Sequence, residues 1–221
     1  MNDKICYVIG AGEWYNTPIN KREQDFLIAV DGGYDVVKRL NIIPDVVIGD
    51  FDSVSQVPDE ENCIRLNPIK DETDMLYSIQ YAKEKGYRNI CIFGGTGGSR
   101  ISHTISNIQT LQYFDDLHCF LFDKEEVLFL VKDVSVRFDK ECGGYLSVFS
   151  LTDKSLGVEE KGLKYEITDA ELTSSFPIGV SNEFLGKESC VSVKKGTLLL
   201  VMEHKNLPYL RFEEAVYNYD G

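Results

Sequence analysis

The feature that most constrains the fold is a change of rhythm in the sequence near residue 125. Before it, short apolar runs such as "ICYVIG", "FLIAVD", "DVVIGD" and "NICIFGG" alternate with amphipathic segments of helical period. That alternation is typical of a parallel sheet with crossover helices. After it, runs such as "VSVRF", "YLSVFSL" and "TLLLVM" follow one another, divided by Gly, Asp, Lys and Pro, as in a small all-β sandwich or barrel. We therefore expect an α/β N-terminal domain with a mainly parallel sheet over residues 1–125 and an all-β sandwich domain over residues 126–221.

Helical periodicity predicts three helices in the first domain, at about residues 33–40, 73–85 and 101–114. Further strand candidates are "CIRL" and "HCFLF" in the first domain and "LFLV", "YEIT" and "CVSV" in the second. No helix is predicted in the second domain before its end.

Composition narrows the classes of partner. The chain has 221 residues, a formal net charge of -13 and a pI near 4.7, which argues against nucleic acid or an anionic membrane as a partner. Its six cysteines form no C-x-x-C pair and most lie in apolar runs, so they read as buried, reduced thiols. No apolar run approaches the roughly 20 residues that span a bilayer. We expect a cytoplasmic protein.

The residues whose side chains could take part in binding or catalysis cluster where predicted strands end. Asp31 follows one strand in "AVDGG", and Asp50 and Asp52 follow another in "IGDFDS". Ligands of open α/β sheets bind at the carboxyl ends of the strands. Two carboxylates at a buried strand end repel each other unless a cation or a turn relaxes them, and Mg²⁺ prefers such oxygen ligands. No cluster of Cys and His offers zinc an alternative site.

Other motifs have ordinary structural explanations beside the functional ones. Asp71, Thr73 and Asp74 in "KDETD" fit a helix cap as well as a binding site. The loop "GGTGGSR" exposes backbone N–H groups to an anion, although it lacks the Lys-Ser/Thr pair of a Walker loop and an ordinary flexible loop is an alternative. A lone "GAG" at residues 10–12 is too weak to indicate a nucleotide. Among three histidines, His103 is the most plausible catalytic imidazole because it follows the glycine-rich loop.

Taken together, the order and separation of these motifs resemble the thiamin pyrophosphokinase (thiamin diphosphokinase) family. The matching segments are "VDGGYDVVKRLNIIPDVVIGDFDS", "KDETD", "GGTGGSRISHTISNIQTL" and "GVSNEF". The resemblance extends over almost the whole chain. Each motif alone is weak, and the four together are specific.

The resemblance implies an α/β catalytic domain that binds nucleotide and Mg²⁺, and a β-sandwich domain that binds thiamin and forms a homodimer. It implies transfer of pyrophosphate from ATP to the thiamin hydroxyl, giving AMP and thiamin diphosphate. Asp50, Asp52 and Asp74 would hold Mg²⁺ and, with Arg100, form the catalytic set. Substrate or ATP contacts would come from Asp31, Gly32, Lys70, Asp71, Gly95, Gly98, His103, Ser181 and Asn182, the last two near thiamin.

This chain departs from the family pattern at one position. The family reads R-x-D-H after the glycine-rich loop, and here Ser102 stands in place of the aspartate. Two rival interpretations stay open: a diverged non-catalytic binder of thiamin or nucleotide, and a Mg²⁺-dependent kinase or phosphohydrolase for another substrate. The general base is not assigned among Asp31, Asp71 and Asp74.

Overall fold

The computed structural model describes residues 4–15, 19–51, 62–69, 71–98 and 100–214. The chain divides into two compact units, Met1–Lys124 and Glu125–Gly221. The family expectation of an α/β domain followed by an antiparallel β sandwich is confirmed at the level of fold.

Among its described residues, the first unit contains a parallel sheet of six strands with three helices. Its elements in chain order are β1 (Ile5–Ile9), β2 (Phe26–Val30), α1 (Gly33–Arg39), β3 (Val46–Gly49), β4 (Cys63–Arg65), α2 (Asp74–Glu84), β5 (Asn89–Phe93), α3 (Ile101–Tyr113) and β6 (His118–Phe122). The strand order is β6-β5-β1-β2-β3-β4, and every neighbouring pair is parallel. The three predicted helices are present within one or two residues of their expected ends.

Both faces of this sheet are buried, which explains its continuous apolar strands. On one face, Tyr7 and Leu27 form a cluster with Val36 and Val37 of α1. The strand residues that face the other side of the sheet, such as Val8, are also buried. Helix α2 has a buried face as well, and it packs against β1, β2 and β3 as well as α3. Because helices cover the faces, the carboxyl ends of the strands are left as the edge where side chains can meet.

The second unit contains two antiparallel sheets. Its strands are β7 (Glu126–Val131), β8 (Val134–Phe138), β9 (Tyr145–Ser150), β10 (Lys154–Lys161), β11 (Ile167–Thr173), β12 (Asn182–Glu183), β13 (Ser189–Ser192), β14 (Leu198–Glu203) and β15 (Leu210–Glu214). One sheet has the order β12-β9-β14-β7 and the other β11-β10-β13-β8-β15. Alternate residues of these strands are buried, and the rings of Phe129 and Phe212 meet edge to face at 5.9 Å. A 3-10 helix, His204–Tyr209, precedes the last strand.

One strand prediction in this unit was wrong in part, and the strands β10, β12 and β15 were not predicted. The segment "YEIT" was expected to be a strand, but β11 begins only at Ile167. The eight-residue strand β10 was not predicted, because Gly157 and the adjacent Glu159 and Glu160 obscure its apolar alternation. Glu160 occupies a core position, as described below.

Within the described residues, no helix has the length and hydropathy needed to cross a bilayer.

Candidate active site

Two aspartates lie at the ends of neighbouring parallel strands. Asp31 follows β2 and Asp50 follows β3, and the backbone N–H of Asp31 donates to the carbonyl of Ile48 at 2.8 Å. Asp31 has a φ of 46°, a left-handed conformation that is uncommon for residues other than glycine and is worth attention at a site. A Cβ at Gly49 would lie 3.0 Å from the Cα of Asp31, so the strand ends approach closely there. The register of the sheet thus brings the two carboxylates to one edge.

The glycine-rich loop after β5 has its carbonyl groups tied to the rest of the unit. The carbonyls of Gly94 and Thr96 accept from the N–H groups of Gly12 and Glu13 at 2.7 and 3.3 Å. The carbonyl of Gly95 accepts from the side-chain amide of Asn107 at 2.6 Å. The Thr96 hydroxyl lies 2.6 Å from a carboxylate oxygen of Asp123, to which it donates. These bonds fix the loop from behind.

The donors of the same loop are left for a ligand. Among the hydrogen bonds of the described residues, none is donated by the N–H groups of residues 95–98. Gly94, Gly97 and Gly98 have φ values of 61°, 66° and 74°. Successive backbone N–H groups in such a turn conformation, with no acceptor among the described residues, are typical of the concave nests that bind anions.

The helix after this loop adds to the positive potential. α3 begins at Ile101 with Arg100 as its N-cap residue, without a side-chain cap bond and without an acidic residue in its first turn. Its dipole is therefore not offset by its own sequence, which favours an anion at this end. The loop and the helix start therefore line one cavity with features that favour an anion.

The start of α2 supplies a further carboxylate. Thr73 is the N-cap residue, and its hydroxyl accepts from the N–H of Leu76 at 3.2 Å. Asp74 is in the first turn and Asp71 precedes the helix in an exposed position. The capping interpretation of this motif is thus correct for Thr73, while Asp74 also lines the cavity described next.

These elements surround a single cavity of about 370 Å³ within the first unit. Its lining includes seven residues that the sequence singled out: Asp31, Asp50, Asp74, Gly95, Gly98, Arg100 and His103. Gly32 and Asp71 are described but do not line it, and neither does Ser102. Asp52 and Lys70 lie outside the described residues.

Sequence reasoning underestimated two contributors to the cavity. Residues 10–12, the weak "GAG" motif, form its floor beside the glycine-rich loop, and a Cβ at Gly12 would lie 2.5 Å from the carbonyl oxygens of both Gly94 and Thr96. Only glycine allows that approach of two backbone segments. Asn107 was not considered, although its spacing from Arg100 and His103 puts it on the same side of α3.

The donor set suits a hard cation that is shared with phosphate. In the part of the chain that the structure describes, no group of three or more His, Cys, Asp or Glu side chains forms a ready-made metal cage. Asp50 and Asp74 nevertheless line the cavity together with the N–H groups of the loop. Mg²⁺ is usually held by one or two carboxylates together with substrate phosphates, so these residues fit it.

The two remaining predicted residues belong to the second unit. Ser181 is exposed and has a φ of 58°, while Asn182 begins β12 and is 5% exposed. The Ser181 N–H donates to the hydroxyl of Ser147 at 3.0 Å. The side chains of the pair therefore have different surroundings, one in solvent and one in the interior.

Comparison with known proteins agrees with both units. Residues 20–121 match the family model described as "Thiamin pyrophosphokinase, catalytic domain", and residues 133–198 match "Thiamin pyrophosphokinase, vitamin B1 binding domain". Thiamin pyrophosphokinase 1 of Caenorhabditis elegans is 27% identical over 224 residues, covering 89% of this chain and 90% of that protein. Thiamine pyrophosphokinase of Bacillus subtilis is 28% identical over 189 residues, covering 81% and 87%.

Solved structures extend the agreement to the fold. The crystal structure of thiamine pyrophosphokinase from Bacillus subtilis superposes with a TM-score of 0.77 at 25% identity, covering 91% of this chain and 99% of that one. Thiamin pyrophosphokinase from Candida albicans, at 18% identity and a TM-score of 0.68, shares the fold. With matches to both of the family's domain models, in the expected order along one chain, this protein belongs to the thiamin pyrophosphokinase family.

Proposed function

We propose that this protein is a thiamin pyrophosphokinase, an enzyme that transfers pyrophosphate from ATP to the thiamin hydroxyl and releases AMP. The observation that carries the proposal is the glycine-rich loop, whose carbonyls are tied back while its N–H groups remain for phosphate oxygens beside Asp50 and Asp74. Family membership supplies the identity of the acceptor alcohol.

The charges of the cavity favour a nucleotide that arrives with its metal. Four acidic residues, Asp31, Asp50, Glu72 and Asp74, line it together with Arg100 among the described residues. A bare triphosphate would be repelled by those carboxylates, and a cation between them removes the repulsion. We assign Mg²⁺ to Asp50 and Asp74, with Asp52 as the further ligand that the family motif implies. When bound, the ion neutralises charge on the phosphates.

The residues of this chain mainly position the reacting groups. In the proposed reaction the thiamin hydroxyl gives its proton to a carboxylate of the cavity and its oxygen bonds to the β-phosphorus. The bond from that phosphorus to the oxygen that bridges it to the α-phosphate breaks, and AMP leaves. The nest at Gly95 and Gly98 orients the phosphates, and Arg100 offsets their charge. His103 also faces this cavity. Of the three candidate bases, Asp31 and Asp74 line the cavity.

The two units take different tasks in this proposal. Residues 1–125 form the domain that binds ATP and Mg²⁺ and carries out catalysis. Residues 126–221 form the domain that binds thiamin and makes a homodimer. The dimer is supported by exposed apolar side chains in the second unit, among them Tyr145, Tyr165, Phe176, Ile178 and Leu185. Light scattering after gel filtration tests it.

A cytoplasmic location is part of the same proposal. All six cysteines are free thiols. Burial raises the pKa of the Cys91 and Cys119 thiols to about 12, so both are inert and protonated at neutral pH. Buried, unpaired cysteines suit a reducing compartment.

Product analysis is the decisive experiment. The protein is incubated with Mg²⁺, thiamin and ATP labelled at the α-phosphate, and the labelled products are separated. Labelled AMP that forms only with thiamin supports the proposal, together with an equal amount of thiamin diphosphate, which takes the unlabelled β- and γ-phosphates and is quantified separately. ADP in place of AMP would identify simple phosphoryl transfer, and thiamin binding without turnover would identify a binder.

A further inference from the structure

Glu160 is a buried acid with no part in the proposed reaction. It lies in β10, opposite Ile167 of β11 and Val191 of β13, and is only 3% exposed. Its Oε2 accepts a hydrogen bond from the side-chain amide of Asn182 at 2.7 Å. Burial raises the pKa of Glu160 despite that bond. Burying a polar group in the core of a sandwich costs free energy unless hydrogen bonds satisfy that group.

The amide of Asn182 is completely used within the protein. Its two N–H bonds go to Glu160 and to the carbonyl of Tyr165, at 2.7 and 2.8 Å. Its oxygen accepts from the N–H groups of Tyr165 and Glu183, both at 2.9 Å. A carboxamide has two donors and two acceptor positions, so no capacity is left for a ligand.

This hydrogen-bond network holds the backbone of Glu183, which follows the Ser181–Asn182 motif, and the backbone of Tyr165, which is distant in sequence. Tyr165 is gripped at its N–H and its carbonyl, and Glu183 at its N–H. Ser181, directly before Asn182, has the left-handed φ of 58°. This conformation costs free energy in a residue other than glycine, so it persists only where the surrounding structure holds it. Its hydroxyl makes no hydrogen bond with the described residues and is exposed.

We propose that Glu160 is a positioning residue for the thiamin site: through the Asn182 amide it fixes Ser181 and the backbone of Tyr165, and Asn182 itself makes no contact with thiamin. The inference rests on the proposed function, which puts the vitamin near Ser181. The serine hydroxyl, unlike the asparagine amide, is free to bind it.

Steady-state kinetics with both substrates test the proposal. Glu160→Met removes the acceptor at similar size, so the KM for thiamin rises five- to twentyfold while the KM for ATP stays within twofold. Glu160→Gln retains an acceptor oxygen for Asn182 and restores the thiamin KM to within twofold of wild type. The matched control is Glu159→Gln, at the next residue, whose side chain pairs with Lys161 instead and which leaves both constants unchanged.

The outcomes that overturn the proposal are distinct. A thiamin KM unchanged in Glu160→Met excludes a positioning role, and an equal rise of both KM values indicates general loosening of the fold. Failure of Glu160→Gln to restore the KM would show that charge, not the hydrogen bond, matters.

A second readout does not depend on activity. Hydrogen exchange at the backbone N–H groups of Tyr165 and Glu183 becomes at least tenfold faster in Glu160→Met, while Leu200 of β14 stays protected. Unchanged exchange rates would overturn the role of Glu160 in holding this backbone, even if the protein is an active thiamin pyrophosphokinase. If the wild-type protein forms no AMP with thiamin, the proposed function fails and the assignment to a thiamin site fails with it. The exchange result then decides only whether Glu160 holds the backbone of Tyr165 and Glu183 through Asn182.

Discussion

The side-chain amide of Asn107 donates to the carbonyl oxygen of Gly95 at 2.6 Å, and so ties the second turn of α3 to the loop that precedes the helix. Asn107 is 7% exposed, so this bond is shielded from water. With the Gly95 carbonyl held, the N–H of the same trans peptide group, that of Thr96, points the opposite way, and both residues line the cavity. The relationship links the packing of a helix to the loop that we propose binds phosphate.

We expect Asn107→Leu to raise the KM for ATP about tenfold, because a lost hydrogen bond of about 1 to 1.5 kcal/mol lets the loop rotate. The KM for thiamin stays within twofold. Initial-rate kinetics with each substrate varied in turn measure both values. Gln109→Ala, an exposed change on the same helix, is the control and leaves both constants as they are. Equal increases in the two constants would contradict a specific role in the phosphate loop.

We expect Asp50→Asn and Asp74→Asn each to lower kcat by about a hundredfold or more, since both carboxylates are assigned to the ion that neutralises the phosphates. Circular dichroism and thermal unfolding check that each variant is folded. Asp153→Asn removes the same charge from an exposed turn of the second unit and serves as the control. Activity retained in both cavity variants would refute the metal assignment.

The stability of the first unit depends on Asp25. Its carboxylate accepts from the N–H of Ile5 at 2.8 Å, from the N–H of Arg22 at 2.9 Å and from the Arg22 guanidinium at 2.9 and 3.0 Å. Burial opposes ionisation, but these bonds outweigh it and lower the pKa of Asp25 below its ordinary value. A lowered folded-state pKa means stability that is present above about pH 4 and lost as the pH falls through the folded pKa.

We therefore expect Asp25→Asn to reduce the free energy of unfolding by about 2 kcal/mol at pH 7, with a smaller difference below about pH 4. Urea unfolding followed by the fluorescence of Trp14 measures it, because this single tryptophan packs on Phe93 in the first unit. Asp116→Asn is the comparison: that carboxylate pairs with Lys83 at the surface and its loss costs at most about 1 kcal/mol. A pH-independent difference for Asp25→Asn would refute the linkage.

The sequence was sufficient to predict the edge of the sheet where the site lies. Asp31 and Asp50 follow apolar strands, and parallel strands bring their carboxyl ends together whatever the details of packing. The close approach of Gly12 to the glycine-rich loop was beyond reach, because it depends on the neighbouring position of β1 and β5 in the strand order. A three-residue motif carries no information about that order.

Buried polar residues account for most of what was missed in the second unit. Glu160 interrupts the alternation of apolar and polar residues in β10, so the sequence of this eight-residue strand did not show the pattern that predicts a strand. The family motif predicts Asn182 as a thiamin contact, and the sequence does not reveal that its amide makes four hydrogen bonds within the protein. Such pairs become visible only when two strands distant in sequence are placed together.

Ser102 is the position where this chain departs from its family, and it lies exposed in the first turn of α3 outside the lining of the cavity. A serine is uncharged near neutral pH and replaces an aspartate neither as a base nor as an ionic ligand. The carboxylates of Asp31, Asp50 and Asp74 still line the cavity, so we expect the native protein to be active.

Ser102→Asp places a carboxylate in a first helical turn that has none, which stabilises the helix by about 0.3 to 1 kcal/mol through its dipole. It also brings negative charge near the phosphate loop, so we expect kcat to change less than about fivefold and the Mg²⁺ concentration for half-maximal rate to shift modestly. Magnesium titrations of AMP release and urea unfolding measure the two effects, with Ser102→Ala as the control for loss of the hydroxyl. A native protein that is inert until Ser102→Asp switches on thiamin turnover would show that the missing aspartate is essential, and the native chain would then be a binder of thiamin or nucleotide without catalysis.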